Sequence, residues 1–284
     1  MNEVYISVVI LSYNTRELLE KCLNSILENE KESNIEIIVV DNASADGSVD
    51  MVRKRFPQVV LIANEKNLGF ASAVNQGLRI SRGRFIVVLN SDTVLLNNAF
   101  TKMAEFMKEN PGAGAVRPKV LNPDGSLQRQ GSGIWRIFKA PDRVYELDWV
   151  SGCCMMLRRE IIENVGFFDE FFFFYNEDLD YSKRIKKAGW KLYYFPPANI
   201  IHYWGKSSKG LEEKLLIEGY RGGYYLCEKY YGRPVLLFYK MLALLELIAK
   251  IIVCVFFLPW KRDIKNRIRT YFRIIKMTVV PSPR

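Results

Sequence analysis

Carboxylates stand directly after short apolar runs at two places in this chain and crowd together at a third. Asp41 follows IEIIVV (35–40) and opens DNASADGS. A carboxylate there can accept hydrogen bonds from a nucleobase or a ribose; it can also close an Asx turn or cap a helix, a reading that suits Asp46 better. Asn90-Ser91-Asp92 follows FIVVL (85–89). Hard divalent cations take oxygen ligands, so Asp92 could join a cation to a diphosphate and offset charge growing on a departing phosphate. Ser91-Asp92-Thr93 could equally cap a following helix. The third group is Glu177, Asp178 and Asp180, just beyond a phenylalanine run. On a helix Glu177 and Asp180 share a face while Asp178 points elsewhere. An alcohol attacking carbon loses its proton as the bond forms, which suits a carboxylate within hydrogen-bond reach. An acidic first turn set against the helix dipole is the competing reading.

His202 is the sole histidine, and its setting IHYWGKSS points to a phosphate or metal role beside Lys206, Ser207 and Ser208, or to a satisfied structural histidine. No GxSxG elbow accompanies it, so a Ser-His-Asp hydrolase is disfavoured. Neither GxGxxG nor GxxxxGK[ST] occurs, which weakens dehydrogenase and P-loop readings.

Positioning these groups falls to an alternation of strands and helices. VYISVVIL (4–11) reads as a strand, and Leu18, Leu19, Cys22, Leu23, Ile26 and Leu27 recur at helical spacing after it. The same grammar continues through IEIIVV, a helix from about Ser48, VVLIA (59–63), a helix near 70–80 and FIVVL. Wholly apolar strands alternating with helices predict a mostly parallel central sheet covered on both faces, with the ligand site beyond the carboxyl ends of the strands. Asn14, Asp41 and Asp92 each follow such an end. A helix near 97–109, a segment at 113–121, the turn signal NPDG (122–125) with a polar loop to Gly133, a strand within 149–159 and a helix from Leu179 to Gly189 complete this part.

With 284 residues, 49% apolar and 25% charged, the chain can bury one large core or two joined lobes, and pervasive disorder is excluded. The net charge of +10 is mostly local, since residues 261–276 carry seven basic side chains and one acid. They follow VLLFYKMLALLELIAKIIVCVFFL (235–258), where Lys240, Glu246 and Lys250 are the charged residues. Glu246 in mid-segment makes a lone spanning helix costly. An interfacial helix or hairpin joined to a basic stretch would pair apolar burial with attraction to anionic lipid, giving a peripheral or monotopic protein at the cytoplasmic face of the membrane. A buried core helix or a homo-oligomer contact is the alternative for 235–258, and nucleic-acid binding by the basic stretch is not expected. The five cysteines show no paired spacing, which fits a reduced setting. The N-terminus does not read as a secretory signal.

Taken in order, VVILSYN (8–14), IIVVDNASADGS (37–48), NEKNLGFASAVNQG (64–77), VVLNSD (87–92), SGCCMMLRRE (151–160), YNEDLDYSKRIKKAGW (175–190) and HYWGKSS (202–208) resemble the family 2 glycosyltransferases of GT-A fold, in particular their bacterial rhamnosyltransferase-like branch. The resemblance implies a catalytic domain over 1–210, with a nucleotide-binding half to about 95 and an acceptor-binding half from about 96, followed by a helical, basic membrane-association region over 211–284. It implies Asp178 as general base with Glu177 as runner-up, and Asp92 with His202 as ligands of Mg2+ or Mn2+ in place of a DxD motif whose first member is here Asn90. Donor contacts would come from Ser12, Asn14, Asp41, Asn42, Lys66, Asn67, Gly69, Ser91, Asp92, Ser151, Gly152 and Lys206. Arg184, Trp149 and Gln128 would serve the acceptor or support the site.

The implied reaction moves a sugar, rhamnose favoured, from a dTDP donor, with UDP and GDP donors as alternatives, to a hydroxyl of a lipid-linked saccharide in surface polysaccharide or O-antigen assembly, with inversion. A nucleotidyltransferase would share a nucleotide, a metal and a doubly wound sheet but release pyrophosphate. A non-catalytic membrane scaffold is the rival outside enzymology.

Overall fold

In ISVVILS every residue but one is buried, as a strand covered on both faces requires, and it forms β1 (Ile6–Ser12). In this computed structural model, which describes residues 5–31, 34–128, 142–205, 210–257 and 264–280, β1 lies between two strands of equally apolar sequence. α1 (Arg16–Asn29), β2 (Ile35–Asp41), α2 (Ser48–Arg55), β3 (Val60–Ala63), α3 (Phe70–Ile80) and β4 (Phe85–Asn90) follow in the predicted alternation. β1 pairs in parallel with β2 and β4, and β2 with β3. The register sets Ser12 beside Asp41, Asp41 beside Ala63 and Leu11 beside Asn90. The carboxyl ends of all four strands therefore finish within one residue of a common level.

The rest of the sheet is mixed. β5 (Thr93–Leu96), α4 (Ala99–Glu109), β6 (Ala113–Leu121), β7 (Tyr145–Leu147), β8 (Cys154–Arg158), α5 (Arg159–Val165), α6 (Glu177–Lys187) and β9 (Lys191–His202) complete a sheet of order β3-β2-β1-β4-β8-β6-β9-β5, with β7 pairing β9. β4–β8, β6–β8, β5–β9 and β7–β9 are antiparallel, and β6–β9 is parallel. The expectation of a mostly parallel sheet thus applies to its first four strands. An apolar run encodes burial on two faces but not direction, which the connection decides.

Leu19, Cys22, Leu23 and Ile26 of α1 and Phe100, Met103, Ala104 and Met107 of α4 join Ile6, Val8 and Ile10 in the main core. α3 covers the opposite face, where a Cβ on Gly77 would lie 2.4 Å from Val9 Cγ1. The missing side chain lets the helix seat on β1.

The chain divides into two compact units, Met1–Phe173 with Glu177–Ser207, and Phe174–Asn176 with Ser208–Arg284. In the second, α7 (Glu212–Phe257) is broken at Gly232 (φ 76°, ψ 177°), two residues before Pro234. α8 (Ile264–Val279) packs on it through the Tyr224 hydroxyl, 2.8 Å from Thr278 Oγ1, and through Met277 beside a small core of Tyr224, Cys227, Leu236 and Ala243. Glu246, the charge that argued against spanning, is paired: Lys250 Nζ lies 2.6 Å from its Oε1 and the Tyr220 hydroxyl donates to its Oε2 at 3.2 Å. Leu237, Phe238, Leu245 and Phe256 are exposed, Phe256 by 73%. Among the described residues no helix is long and apolar enough to cross a membrane.

Gly77→Ala weighs two opposing effects. Helix propensity would gain about 1 kcal/mol, but overpacking against Val9 costs about 1–3 kcal/mol. A net loss of stability is expected in urea unfolding monitored by circular dichroism.

Candidate active site

The end of β4 and the start of β5 are separated by two residues, Ser91 and Asp92. β5 pairs antiparallel with β9 so that Thr93 faces His202, and Tyr203 N–H donates to the Asp92 carbonyl at 2.8 Å. This pairing brings the histidine to the aspartate: His202 Nε2 lies 3.2 Å from Asp92 Oδ1. The helix-cap reading of Ser91-Asp92-Thr93 fails, since a strand begins at Thr93. Asp92 is 1% exposed, yet neither carboxylate oxygen takes part in a hydrogen bond; the histidine contact meets the ion-pair distance without hydrogen-bond geometry. A carboxylate left so is costly unless a positive partner completes it. The donor set of one carboxylate and one imidazole fits a divalent cation whose remaining ligands are diphosphate oxygens and water. No cluster of three or more His, Cys, Asp or Glu that could hold a metal exists among the described residues.

Asp178 occupies the first turn of α6. Its Oδ2 accepts the Gly152 N–H at 3.1 Å and its Oδ1 the Leu179 N–H at 2.8 Å. Burial pushes its carboxyl above the ordinary value, opposed by hydrogen bonds from Gly152, Trp149 and Leu179. The Trp149 indole N–H, buried itself, pulls on Asp178 without meeting strict hydrogen-bond geometry. Glu177 is buried with Oε2 unpartnered, and desolvation, then the Asp178 charge, push it well above the usual carboxylate range. A carboxylate with a raised pKa is a stronger base than a free one, and of the two only Asp178 has backbone N–H donors that favour its charged form.

A short stretch of chain links the two centres. Gly152 N–H is bonded to Asp178, and the carbonyl of the next residue, Cys153, accepts the Asn90 N–H at 3.0 Å. The loop bearing Asp92 and the turn bearing Asp178 are thus fastened to opposite ends of one dipeptide, which can span at most roughly 7 Å. The Cys153 thiol lies within electrostatic reach of both carboxylates and of Arg117. Burial pushes it up to about 11, so it is no thiolate ligand or nucleophile.

Other expected donor contacts fall into three groups. Ser12 and Ser91 are buried, and Thr15, which no motif or spacing singles out, links them: its hydroxyl lies 3.3 Å from Ser12 Oγ and 2.7 Å from Ser91 Oγ. Asp41 Oδ1 accepts the Ser44 N–H at 2.8 Å, while its buried Oδ2 has no partner. It therefore closes a turn and still has an acceptor to offer. Asp46 does what was expected of it, accepting the Ser48 and Arg16 N–H groups.

Asn42 and Asn67 are committed to each other. Asn42 Nδ2 donates to Asn67 Oδ1 at 2.9 Å and to the Gly69 carbonyl at 3.1 Å, and its Oδ1 accepts from Leu68 N and Asn64 Nδ2. Gly69 was expected to let a donor approach its backbone; instead a Cβ there would lie 2.5 Å from the Phe173 carbonyl, to which Phe70 N–H donates. These hydrogen bonds shape the loop. Asn14, in the left-handed region (φ 51°), ties its loop to Ser44 and Ala45. Lys66 is exposed, Ser151 borders the site beside Gly152, and Lys206 lies outside the described residues.

Of the three acceptor or support residues, Arg184 is committed to support: it bonds Asp180 Oδ2 at 2.8 Å and the carbonyls of Val165 and Phe167. Gln128 reaches His202, its Oε1 2.7 Å from Nδ1 and its Nε2 donating to the His202 carbonyl at 3.0 Å. Trp149 stands at Asp178.

The fold is a mixed α/β sheet flanked by helices, with a carboxylate–histidine pair past β4 and a buried carboxylate pair at the start of α6. Residues 7–166 match glycosyl transferase family 2, and the chain belongs to that family. It is 29% identical, over an alignment of 231 positions, to N-acetylglucosaminyl-diphospho-decaprenol L-rhamnosyltransferase of Mycobacterium tuberculosis, covering 69% of this chain and 75% of the relative. It is 26% identical over 202 positions to poly-beta-1,6-N-acetyl-D-glucosamine synthase of Staphylococcus epidermidis, covering 68% of this chain and 48% of that protein. The crystal structure of GalNAc-T7 with UDP, GalNAc and Mn2+ superposes with a TM-score of 0.58 at 17% identity, covering 76% of this chain and 48% of the other, which shows a shared fold.

A buried carboxyl with a raised pKa costs nothing below its unfolded value and increasingly more as pH rises toward its folded value. Glu177→Gln is expected to raise the melting temperature near pH 7, with the gain fading as pH falls to about 4, below the ordinary 4.5 of this carboxyl.

Proposed function

We propose that this protein is an inverting glycosyltransferase that moves a sugar, rhamnose favoured, from a dTDP donor to a hydroxyl of a lipid-linked saccharide during surface polysaccharide or O-antigen assembly. The observation that carries the reading is the dipeptide Gly152-Cys153, fastened to Asp178 on one side and to the Asn90–Asp92 loop on the other. Rhamnose and a polyprenyl diphosphate-linked acceptor are supported by the name of the mycobacterial relative. The GalNAc-T7 structure contains UDP and Mn2+, which makes a UDP donor the first alternative.

Asp178 takes the proton of the incoming hydroxyl as the new bond forms on the face opposite the leaving group. Gly152 and Leu179 N–H groups fix the orientation of its carboxylate, so little reorganisation accompanies the transfer. Asp41 Oδ2 is the acceptor left open for the base or ribose. Asp92 and His202 are the residues that would hold Mg2+ or Mn2+. When bound, such a cation supplies charge neutralisation at the departing diphosphate, so no second protein acid is needed.

The second unit supplies the membrane contact in this reading. Exposed Leu237, Phe238, Leu245, Ile252 and Phe256 lie on the part of α7 beyond Gly232, and α8 displays Lys265, Arg267, Arg269 and Arg273. Apolar burial combined with basic attraction suits a peripheral or monotopic helix pair at an anionic cytoplasmic leaflet.

A screen of dTDP-, UDP- and GDP-sugars against a polyprenyl diphosphate-linked N-acetylglucosamine, with and without Mg2+ or Mn2+, reads release of nucleoside diphosphate. Asp178→Asn is expected to slow turnover about 10²–10⁴-fold with donor binding retained; near-wild-type turnover removes Asp178 from its role. The full chain should float with anionic liposomes and lose that association as salt rises. Equal flotation with neutral vesicles would overturn the charge argument.

A further inference from the structure

The turn that begins Asn122-Pro123-Asp124-Gly125 takes no part in the chemistry above, yet its hydrogen bonds end on the sole histidine. They run in one direction. Asp124 only accepts, and its Oδ1 takes the Ser126 hydroxyl proton at 2.6 Å. With its proton committed, Ser126 Oγ accepts from Asn122 Nδ2 at 2.9 Å. That turns Asn122 Oδ1 toward Gln128, whose Nε2 donates to it at 3.0 Å. The same Nε2 donates to the His202 carbonyl at 3.0 Å, an acceptor that cannot reverse its role. Gln128 N–H is in turn bonded to the Val120 carbonyl of β6, which fixes its backbone.

The orientation of the Gln128 amide is therefore set from two sides. Its Oε1, 2.7 Å from His202 Nδ1, must accept, so Nδ1 carries the proton. In the neutral imidazole the lone pair then sits on Nε2, 3.2 Å from Asp92 Oδ1. Two acceptors facing each other at that distance repel unless a cation, or a second proton on the ring, joins them. The opposite tautomer would donate Nε2–H to Asp92, complete the pair without a metal, and leave Gln128 Oε1 against a lone pair.

We propose that Gln128 is a positioning residue that holds His202 in the Nδ1–H tautomer, so that Nε2 and Asp92 together are presented to a divalent cation, with the Asn122–Ser126 turn as its anchor. This rests on the reading of Asp92 and His202 as cation ligands. Partners of this kind fix the tautomer of a ligating histidine, and their loss typically weakens metal binding about 10–100-fold.

A single histidine makes the test direct. Long-range 1H–15N correlation spectra of the 15N-histidine-labelled full chain, with Mg2+ and dTDP present, should show a protonated Nδ1 and an unprotonated Nε2. Gln128→Leu should shift the population toward the Nε2–H tautomer and weaken Mn2+ binding, read by electron paramagnetic resonance with Mn2+ alone, by about tenfold or more. Asn122→Leu removes the anchor without touching the histidine and should move both readouts the same way by less, a second route if Gln128→Leu fails to fold by near-ultraviolet circular dichroism. An Nε2–H tautomer in the wild type, or unchanged spectra and Mn2+ affinity in Gln128→Leu, would overturn the proposal. Wild-type protein with the Nδ1–H tautomer but no Mn2+ binding would instead sink the cation reading and, with it, the purpose assigned to Gln128.

Discussion

A carboxyl group sealed from water with no hydrogen bond to either oxygen is the constraint around which this site is built. Asp92 is held there by two strand pairings that have nothing to do with its own side chain: β1 with β4 delivers the end of β4, and β5 with β9 delivers His202. Loss of either would let water reach Asp92 and remove the reason for a cation. The hydrophobic core under β1, β4 and α4 therefore bears directly on the chemistry, because it keeps these pairings from opening.

The parallel half of the fold was legible because each of its strands carries an unbroken run of four or more apolar residues and α1 and α3 repeat theirs at helical spacing. Asp41 and Asp92 drew attention for a related reason: charge close behind an apolar run is costly unless something completes it, whereas Asp178 stood out by its place in an acidic cluster. What escaped the sequence was β5 and β9. Thr93–Leu96 is too short to announce itself. β9 has alternating burial from Leu192 to His202, but Pro196-Pro197 interrupts the run, and proline argues against a paired strand. The register between β6 and β9 jumps from Pro118–Phe195 to Lys119–Asn199, so the prolines sit in a bulge where no ladder donor is needed. With β9 unseen, His202 could be placed near Asp92 only through the family resemblance.

The donor-side asparagines teach a different lesson. Asn42, Asn64, Asn67 and Gln76 share amide hydrogen bonds that seat the β3–α3 loop on the end of β2. Their residue types are those of a ligand site, and spacing alone does not reveal that the amides bond one another. Asp41 differs because only one of its oxygens is used within the protein. Among polar residues clustered at a sheet end, the informative ones are those whose hydrogen-bonding capacity remains open after the fold has taken its share.

The same accounting separates the two acidic residues at the start of α6. Glu177 has less exposure than Asp178 and an oxygen without a partner, so it is the member of the pair for which ionisation is more costly. Asp178 has two backbone N–H donors that favour its charged form, while burial keeps its affinity for a proton above that of a free carboxylate. Burial thus disfavours charge on both residues, while the backbone N–H donors offset it at Asp178, a difference produced by backbone geometry and burial. Arg184 could have undone it by pairing with Asp178, but its guanidinium is committed to Asp180 and two carbonyls on the far side of the helix turn.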